Sequence, residues 1–510
     1  MKKIYYSIAF MAFAALPMSA QETYENTKLI DNDLNGTARY VGMGGAMEAL
    51  GADLSTMSTN PAGIGLFRKS KAETSFGLVN QQDVNKFNSL GKTNASFDQA
   101  GFVYSLRNGR NSFLNFGFNY HKSRNFDQIL NASGALSNAS QNKLTYQKFR
   151  SNIITQPTDL TYSQVDNLYY NNLIYNSTDK TFYNYPATGY QFNQQSKGYI
   201  GEYDFNISGN IQDRIYLGLT FGIHDVHYKG YSEYTENFAA NSANISGATL
   251  ADNRDITGTG YDIKIGAIFR PIENSPFRIG MYINTPTWYD LTTSNYTTLN
   301  TGKASSSSSE SYDFKLYTPW KFGLSLGHTI DNYIALGATY EYADYGSMDT
   351  RVNDGGYYDY YDSYYETSSS DKNMNRHTEN TLKGVHTFKV GAEVKVTPQL
   401  AVRVGYNYLS AMYDKNGSKN GSISSPGSYY ASETSFVNWK DTNRFTCGIG
   451  YSIDKFNIDL AYQYSAQNGD FYPFMNYYEG QAPSTEDNVA SATKVSNKHS
   501  QLQLTFGYRF

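Results

Sequence analysis

Apolar and polar residues alternate one by one over long stretches of this chain. In the last ten residues, Leu502, Leu504, Phe506, Tyr508 and Phe510 share one face, and Gln501, Gln503, Thr505, Gly507 and Arg509 share the other. The same period recurs over Phe388 to Val396, Leu400 to Tyr408 and Phe456 to Tyr464. A period of two belongs to a strand whose faces meet different surroundings. One face carries Leu, Val, Phe and Tyr, while the other carries Gly, Ala, Asn, Thr or a charge. A soluble sandwich also alternates, but its large side chains point inward and its strands are seldom as long as about ten residues. Bulk facing lipid and polarity facing a lumen is the pattern of a membrane-spanning barrel.

Strands are predicted near 72–80, 97–107, 111–121, 198–211, 214–229, 258–270, 276–288, 313–328, 332–345, 384–397, 399–413, 438–453, 456–467 and 498–510. Their number is even, as a single-chain bacterial barrel requires, and closure follows because an open sheet edge cannot be satisfied in hydrocarbon. Short connections at 108–110, 212–213, 271–276, 331–332, 397–399 and 454–455 alternate with long ones at 81–96, 122–197, 230–257, 289–312, 346–383, 414–437 and 468–497. Short periplasmic turns and long extracellular loops are the outer-membrane arrangement. The expected fold class is therefore all-β: a transmembrane antiparallel β-barrel of about 14 strands over residues 71–510, in the bacterial outer membrane.

Composition agrees. The 510 residues include 48 Tyr and 29 Phe, yet mean hydropathy is −0.56. Tyrosine has an apolar body and a wet tip, which suits a lipid–water boundary. Lys2 and Lys3 precede an apolar run from Ile4 to Leu16 and then Pro17-Met18-Ser19-Ala20. This reads as a signal peptide over residues 1–20, although Met18 is imperfect at its position before the cut. The run is too short to span ~30 Å of hydrocarbon, and no Cys follows it to anchor a lipid. After residue 20 no stretch of about 18 apolar residues occurs, which excludes a helical membrane protein. The single Cys447 cannot form an intrachain disulfide. A net charge of −4 gives no reason to expect nucleic acid as a partner.

Candidate chemistry is sparse. Gly42 and Gly44 are followed by Met47, and no strand precedes them, so they do not form a dinucleotide fingerprint. On a strand His224 faces the lumen and His227 faces outward, which speaks against a metal held by the two. Cys447 shares the outward phase of Phe445, Ile449 and Tyr451. No Ser/His/Asp set has a recognisable local context. No enzyme activity, cofactor or metal is expected. Inward charges do form a pattern: Lys264, Lys321, Glu341, Lys389, Glu393, Lys395, Arg403, Asp459 and Arg509 all take the lumen phase. On the lipid face each would cost ~2–4 kcal/mol at the midplane. They either pair across the wall or steer a carboxylate head group. The tyrosine-dense segment 355–366 is a solvated cap or a surface for glycans or greasy ligands, and 304–310 is a flexible tip.

Residues 21–70 break the alternation. They are glycine-rich and precede the first strand on the periplasmic side, at the mouth of a lumen wide enough to leak. A plug, or hatch, inside the lumen is the simplest reading. Pro61 fixes its own φ and drives Asn60 out of the helical region, and Asn60 can close a local turn. Gly42, Gly44 and Gly45 allow close backbone contact or positive φ.

The stretch "NGTARYVGMGGAMEALGADLSTMSTNPAGIGLF" resembles the N-terminal hatch of the FadL/TodX family of outer-membrane transporters, with Arg39, Gly44, Gly45, Ala46, Asp53, Asn60, Pro61 and Ala62 in the matching places. Residues 320–345 and 388–408 resemble later strand pairs of that family. The loops do not match, since the longest, 122–197, follows the third strand. The resemblance implies a monomer embedded in outer-membrane lipid. It implies passive uptake of a hydrophobic small-molecule ligand, such as a long-chain fatty acid, past the hatch. The alternatives are a FadL-like barrel serving as a protein-secretion shuttle or surface interaction protein, with a secreted-protein partner, and a general porin.

Overall fold

The computed structural model describes residues 21–176, 180–241, 243–331, 333–358, 364–480 and 484–510. The expected signal peptide lies outside the described residues, as do Asn332 and residues 359–363 of the tyrosine-dense segment. Among the described residues, fourteen antiparallel strands form one closed ring in chain order. They are β1 (Lys71–Gln82), β2 (Thr93–Arg107), β3 (Phe113–Asn125), β4 (Ala187–Ile211), β5 (Ile215–Phe238), β6 (Gly247–Phe269), β7 (Arg278–Asn284), β8 (Lys321–Ile330), β9 (Ile334–Asp344), β10 (Gly384–Lys395), β11 (Leu400–Leu409), β12 (Phe436–Ile453), β13 (Phe456–Tyr472) and β14 (Thr493–Arg509). The ring closes where β1 pairs with β14, from Lys71 opposite Arg509 to Gln82 opposite Lys498.

The short connections gather at one end. Several turn through left-handed backbone, with φ of 52° and 56° at Gln212 and Asp213 and 49° at Asp454. Turns of this hand match the twist of the strands they join. The outward face is the apolar one. Each of the fourteen strands exposes at least one large apolar residue, among them Phe102, Leu219, Ile265, Leu324, Val404 and Phe506. The lumen face of the same strands buries polar groups such as Asn115, Asp204, Thr220, Gln503 and Thr505. A closed ring with an apolar belt spans a bilayer with every backbone group satisfied inside the sheet. Cys447 is exposed on that belt, as its phase predicts.

Two predicted strands are interrupted. The one at 276–288 stops at Asn284 and resumes as Trp288–Asn300, and the one at 313–328 arrives as Ser305–Tyr317 and resumes at Lys321. Pro286 and Pro319 stand at the breaks, where the ladder loses a donor. The breaks face each other, with Thr287 N donating to Thr318 Oγ1 at 2.8 Å and Thr318 N donating to Thr287 O at 3.2 Å.

The expected long loops are partly ordered structure. The segment 230–257 is mostly strand, because β5 and β6 remain paired from Tyr231–Asn253 out to Asn237–Gly247. Beyond the belt neither face meets lipid, so alternation fades while the hydrogen bonding persists. The segment 122–197 contributes a strand, Gln128–Ala139, paired with the outer part of β4, and two helices, Gln141–Arg150 and Gln164–Tyr169. The segment 346–383 holds a hairpin, Asp349–Tyr358 with Tyr364–Ser370, and a helix, Lys372–Thr381. The segment 468–497 is shortened at both ends by β13 and β14.

A charge at the middle of the belt should separate from the same charge at its rim. We expect Leu219→Lys, six residues above the Asp213 turn, to cost ~2–4 kcal/mol of folding stability in lipid vesicles, and Ile453→Lys, beside the Asp454 turn, about 0–1. Denaturant titration of folding into vesicles measures both, and equal costs would contradict the placement of the belt.

Candidate functional site

Residues 21–67 run through the lumen. They begin among the long loops, where a helix, Thr23–Ile30, places Tyr24 against the rings of Tyr413 (5.3 Å) and Phe436 (4.9 Å). Glu25 of this helix pairs with Arg254 at 2.7 Å and with Lys28 at 2.9 Å, and Lys28 pairs with Glu433 at 3.2 Å. The segment then descends to the short-turn end and enters β1. It therefore spans the lumen rather than resting at its mouth.

Local sequence explains each bend. Thr37 caps the short helix Ala38–Gly42, its Oγ1 accepting from Tyr40 N at 3.0 Å. Asp53 accepts from Ser55 N at 3.0 Å and from the Thr37 hydroxyl on both carboxylate oxygens. Asn60 does two jobs: Oδ1 accepts from Ala62 N at 3.2 Å, opening the turn Pro61–Leu66, and Nδ2 donates to Glu48 O at 3.0 Å. Ser208 of β4 donates to Pro61 O at 2.8 Å.

Where the segment meets the wall, backbone meets backbone. Gly44 and Gly45 have φ of 64° and 78°, the positive values expected for them. A Cβ at Gly44 would lie 2.8 Å from Tyr406 N, and a Cβ at Gly405 of β11 would overlap Gly44 N. The Gly44 carbonyl accepts from Asn407 Nδ2 at 3.2 Å, and that of Gly42 from Thr446 Oγ1 at 3.2 Å.

Ion pairs fasten the same segment. Arg39 grips Glu393 through Nε (2.9 Å) and Nη2 (3.0 Å). Glu393 also pairs with Arg403 at 2.6 Å, and Arg403 with Asp459 at 2.6 Å. Fully buried Glu48 pairs with Lys389 at 2.7 Å and accepts from Thr339 Oγ1 at 2.7 Å and from Tyr40 OH at 3.2 Å. Glu341 accepts from Tyr282 OH at 2.6 Å. Of the predicted lumen charges, Lys389, Glu393, Arg403, Glu341, Asp459 and Lys264 thus lie inside. Lys395 and Arg509 keep the lumen phase but stand exposed at the short-turn rim, where they line an open vestibule of about 980 Å³. On the loop side a cavity of about 130 Å³ has apolar walls from Tyr24, Phe126, Leu130, Phe192, Phe436 and Phe471, with Lys28 and Arg124 among its polar lining. The segment 355–366 leaves Tyr357, Tyr358 and Tyr365 exposed, and the rings of Tyr357 and Tyr365 stack at 5.6 Å.

Sequence reading passed over Glu48, Glu25, Arg254 and Arg278. Arg278 Nη1 donates to Leu50 O at 2.9 Å. Glu25 and Glu48 sit outside any alternating stretch and so carry no inward or outward signal.

A ring of fourteen strands, closed around its own N-terminal residues, can be compared with known structures. A Pseudomonas aeruginosa FadL homologue matches with a TM-score of 0.52 at 13% identity, over 94% of this chain and 100% of that one. This chain has the FadL-type fold. A mutant of the TodX monoaromatic hydrocarbon channel matches at 0.50 with 11% identity, over 94% and 100% of the two chains. The Ralstonia pickettii toluene transporter TbuX matches at 0.49 with 13% identity, over 94% and 99%. No family model matches the sequence, nor does any curated protein. At this identity the likeness is one of fold.

Those contacts make a direct prediction. Glu48→Gln leaves the Lys389 ammonium buried without its charge partner, which costs about 3–5 kcal/mol for a buried pair. The urea midpoint of the variant in detergent should fall accordingly, and an unchanged midpoint would show that the pair does not hold the segment.

Proposed function

We propose that this chain is an outer-membrane channel for the passive uptake of hydrophobic small molecules. On this reading residues 1–20 are a removed signal peptide, residues 21–70 are a hatch, and residues 71–510 form the barrel. The observation that carries it is a lumen occupied from loops to turns by one clamped segment. A general porin needs an open aqueous bore, and half-buried Arg39 with buried Tyr40, Glu48 and Asn60 occupies that space.

The aromatic-walled cavity on the loop side supports an apolar ligand. Lys28 and Arg124 in its lining are each held by two carboxylates, Glu25 and Glu433 for the one and Asp31 and Asp33 for the other, so what the cavity offers a long-chain fatty acid is its aromatic wall. Passage requires the segment to shift. The Gly44–Gly405 contact and the Arg39–Glu393 grip are the points that hold it. The FadL homologue and the monoaromatic hydrocarbon channel that share this fold point the same way.

Two measurements test this. Cells lacking their own uptake route should gain import of oleate or toluene on expressing the protein, and no gain with either would overturn the reading. In planar bilayers the native protein should conduct little, whereas Arg39→Ala combined with Glu48→Ala should raise conductance by loosening the segment. A high conductance in the native protein would favour the porin instead.

A further inference from the structure

Above the lipid belt the strands and helices of the loop side close into a cap. Its apolar core includes Leu144, Tyr169, Tyr190, Tyr234, Phe238 and Ala248, all buried. One acid stands among them. Glu236 lies at the outer end of β5, two residues before that strand stops at Phe238, and so outside the membrane-spanning part of the sheet. It is directly opposite Tyr190 of β4 and Ala248 of β6, and none of its surface reaches solvent.

Its two oxygens are served unequally. Oε1 accepts from Gln141 N at 2.7 Å and from Tyr234 OH at 2.6 Å, whereas Oε2 has no hydrogen-bond partner. Among the described residues no cation answers the carboxylate. On the helix Gln141–Arg150, Lys143 Nζ donates to the carbonyls of Asn138 at 2.8 Å and Asp487 at 3.0 Å. Lys148 pairs with Asp166 of the helix Gln164–Tyr169, and Arg150 pairs with Glu479 and Glu486. The side-chain amide of Asn142 is taken up by Ser140 Oγ and Tyr185 O, at 2.8 Å each. The strand Gln128–Ala139 carries no ionisable side chain, and β6 presents Ala248 and Leu250 here. The ionisable groups that remain are phenols: Tyr234, Tyr190 and Tyr169, and the buried Tyr169 hydroxyl has no partner either.

A carboxylate so placed has neither water nor a cation to answer its charge, and a proton removes that cost. We propose that Glu236 is a pH-operated latch on the loop-side cap: protonated, it lets the helix Gln141–Arg150 and the outer ends of β4, β5 and β6 close around their apolar core, and ionised, it loosens them. Burial pushes the Glu236 carboxyl from its ordinary 4.5 up to about 7, against the opposite pull of Tyr234, the Gln141 amide and Asn142. The closed cap thus holds the proton more tightly than an opened one. That advantage is complete below 4.5 and drains away as pH rises to about 7. At higher pH both forms are ionised, and the closed cap carries a stranded charge. The latch bears on the channel because Leu130, Phe192, Val437 and Phe471 belong to this core and also line the loop-side cavity. Loosening the core slackens that wall, so the cavity is more tightly shut in acid than in alkali.

The test is limited proteolysis of the full-length protein folded in detergent, with cuts within residues 128–186 followed by mass spectrometry. Glu236→Gln keeps the shape of the side chain and cannot ionise. The ratio of native to variant cleavage rates therefore cancels the pH dependence of the protease itself. That ratio should climb at least about tenfold between about pH 5 and about pH 7 and level off above. A ratio that stays flat or falls would overturn the latch. Folding of the variant is checked by the heat-dependent shift in electrophoretic mobility. Should it not fold, native cleavage is referred to that of an unfolded peptide by the same protease: a rise over the same window supports the latch, and no rise overturns it. Glu236 touches neither Arg39 nor Glu48, so the outcome stands apart from what the channel carries.

Discussion

A backbone inside hydrocarbon has no water to bond, so every amide must find its partner within the protein. In this chain that constraint is met at one seam, where β1 and β14 pair residue for residue from Lys71–Arg509 to Gln82–Lys498. With the seam closed, the sheet has no edge and its outer face can be greasy. With it open, the first and last strands would expose two rows of unpaired groups to lipid. The apolar belt, the lumen and everything stored in the lumen follow from this closure.

Closure creates a second problem, because fourteen strands enclose more space than their own side chains fill. The N-terminal segment fills it, and the means of fit differ along its length. Near Gly44 and Gly405 the contact is backbone on backbone, possible only where neither residue carries a Cβ. Around Arg39 and Glu48 the contact is ionic, half-buried at Arg39 and fully buried at Glu48. Such a pair is strong only while both partners remain, since either alone would be a stranded charge. A segment held this way sits firmly.

The wall also gathers charge for its own sake. Across β3 to β6, carboxylates, imidazoles and a lysine share one patch of the lumen, and each is tolerated because its neighbours on adjacent strands answer it. Above the belt the strands continue into a protein cap, where Tyr190, Tyr234, Phe471 and Phe474 pack beneath the loops.

Much of this was legible in order. The alternation in Leu502 to Phe510 told inside from outside, because side chains on a strand point to opposite faces whatever the strand pairs with. Sorting of short and long connections told one end of the barrel from the other. Asn60-Pro61-Ala62 announced a turn, and Gly44 and Gly45 announced positive φ, because both are local backbone properties. The outward extensions of β5 and β6 were hidden, since water and protein surround both faces there and the period carries no information. What only the tertiary structure decided was register: that His121 stands opposite Glu202 and Glu202 opposite His224, or that Glu48 reaches Lys389. A period of two says which way a side chain points, but the sliding of one strand along the next, and the path of a segment through the lumen, are set by the closing of the whole ring.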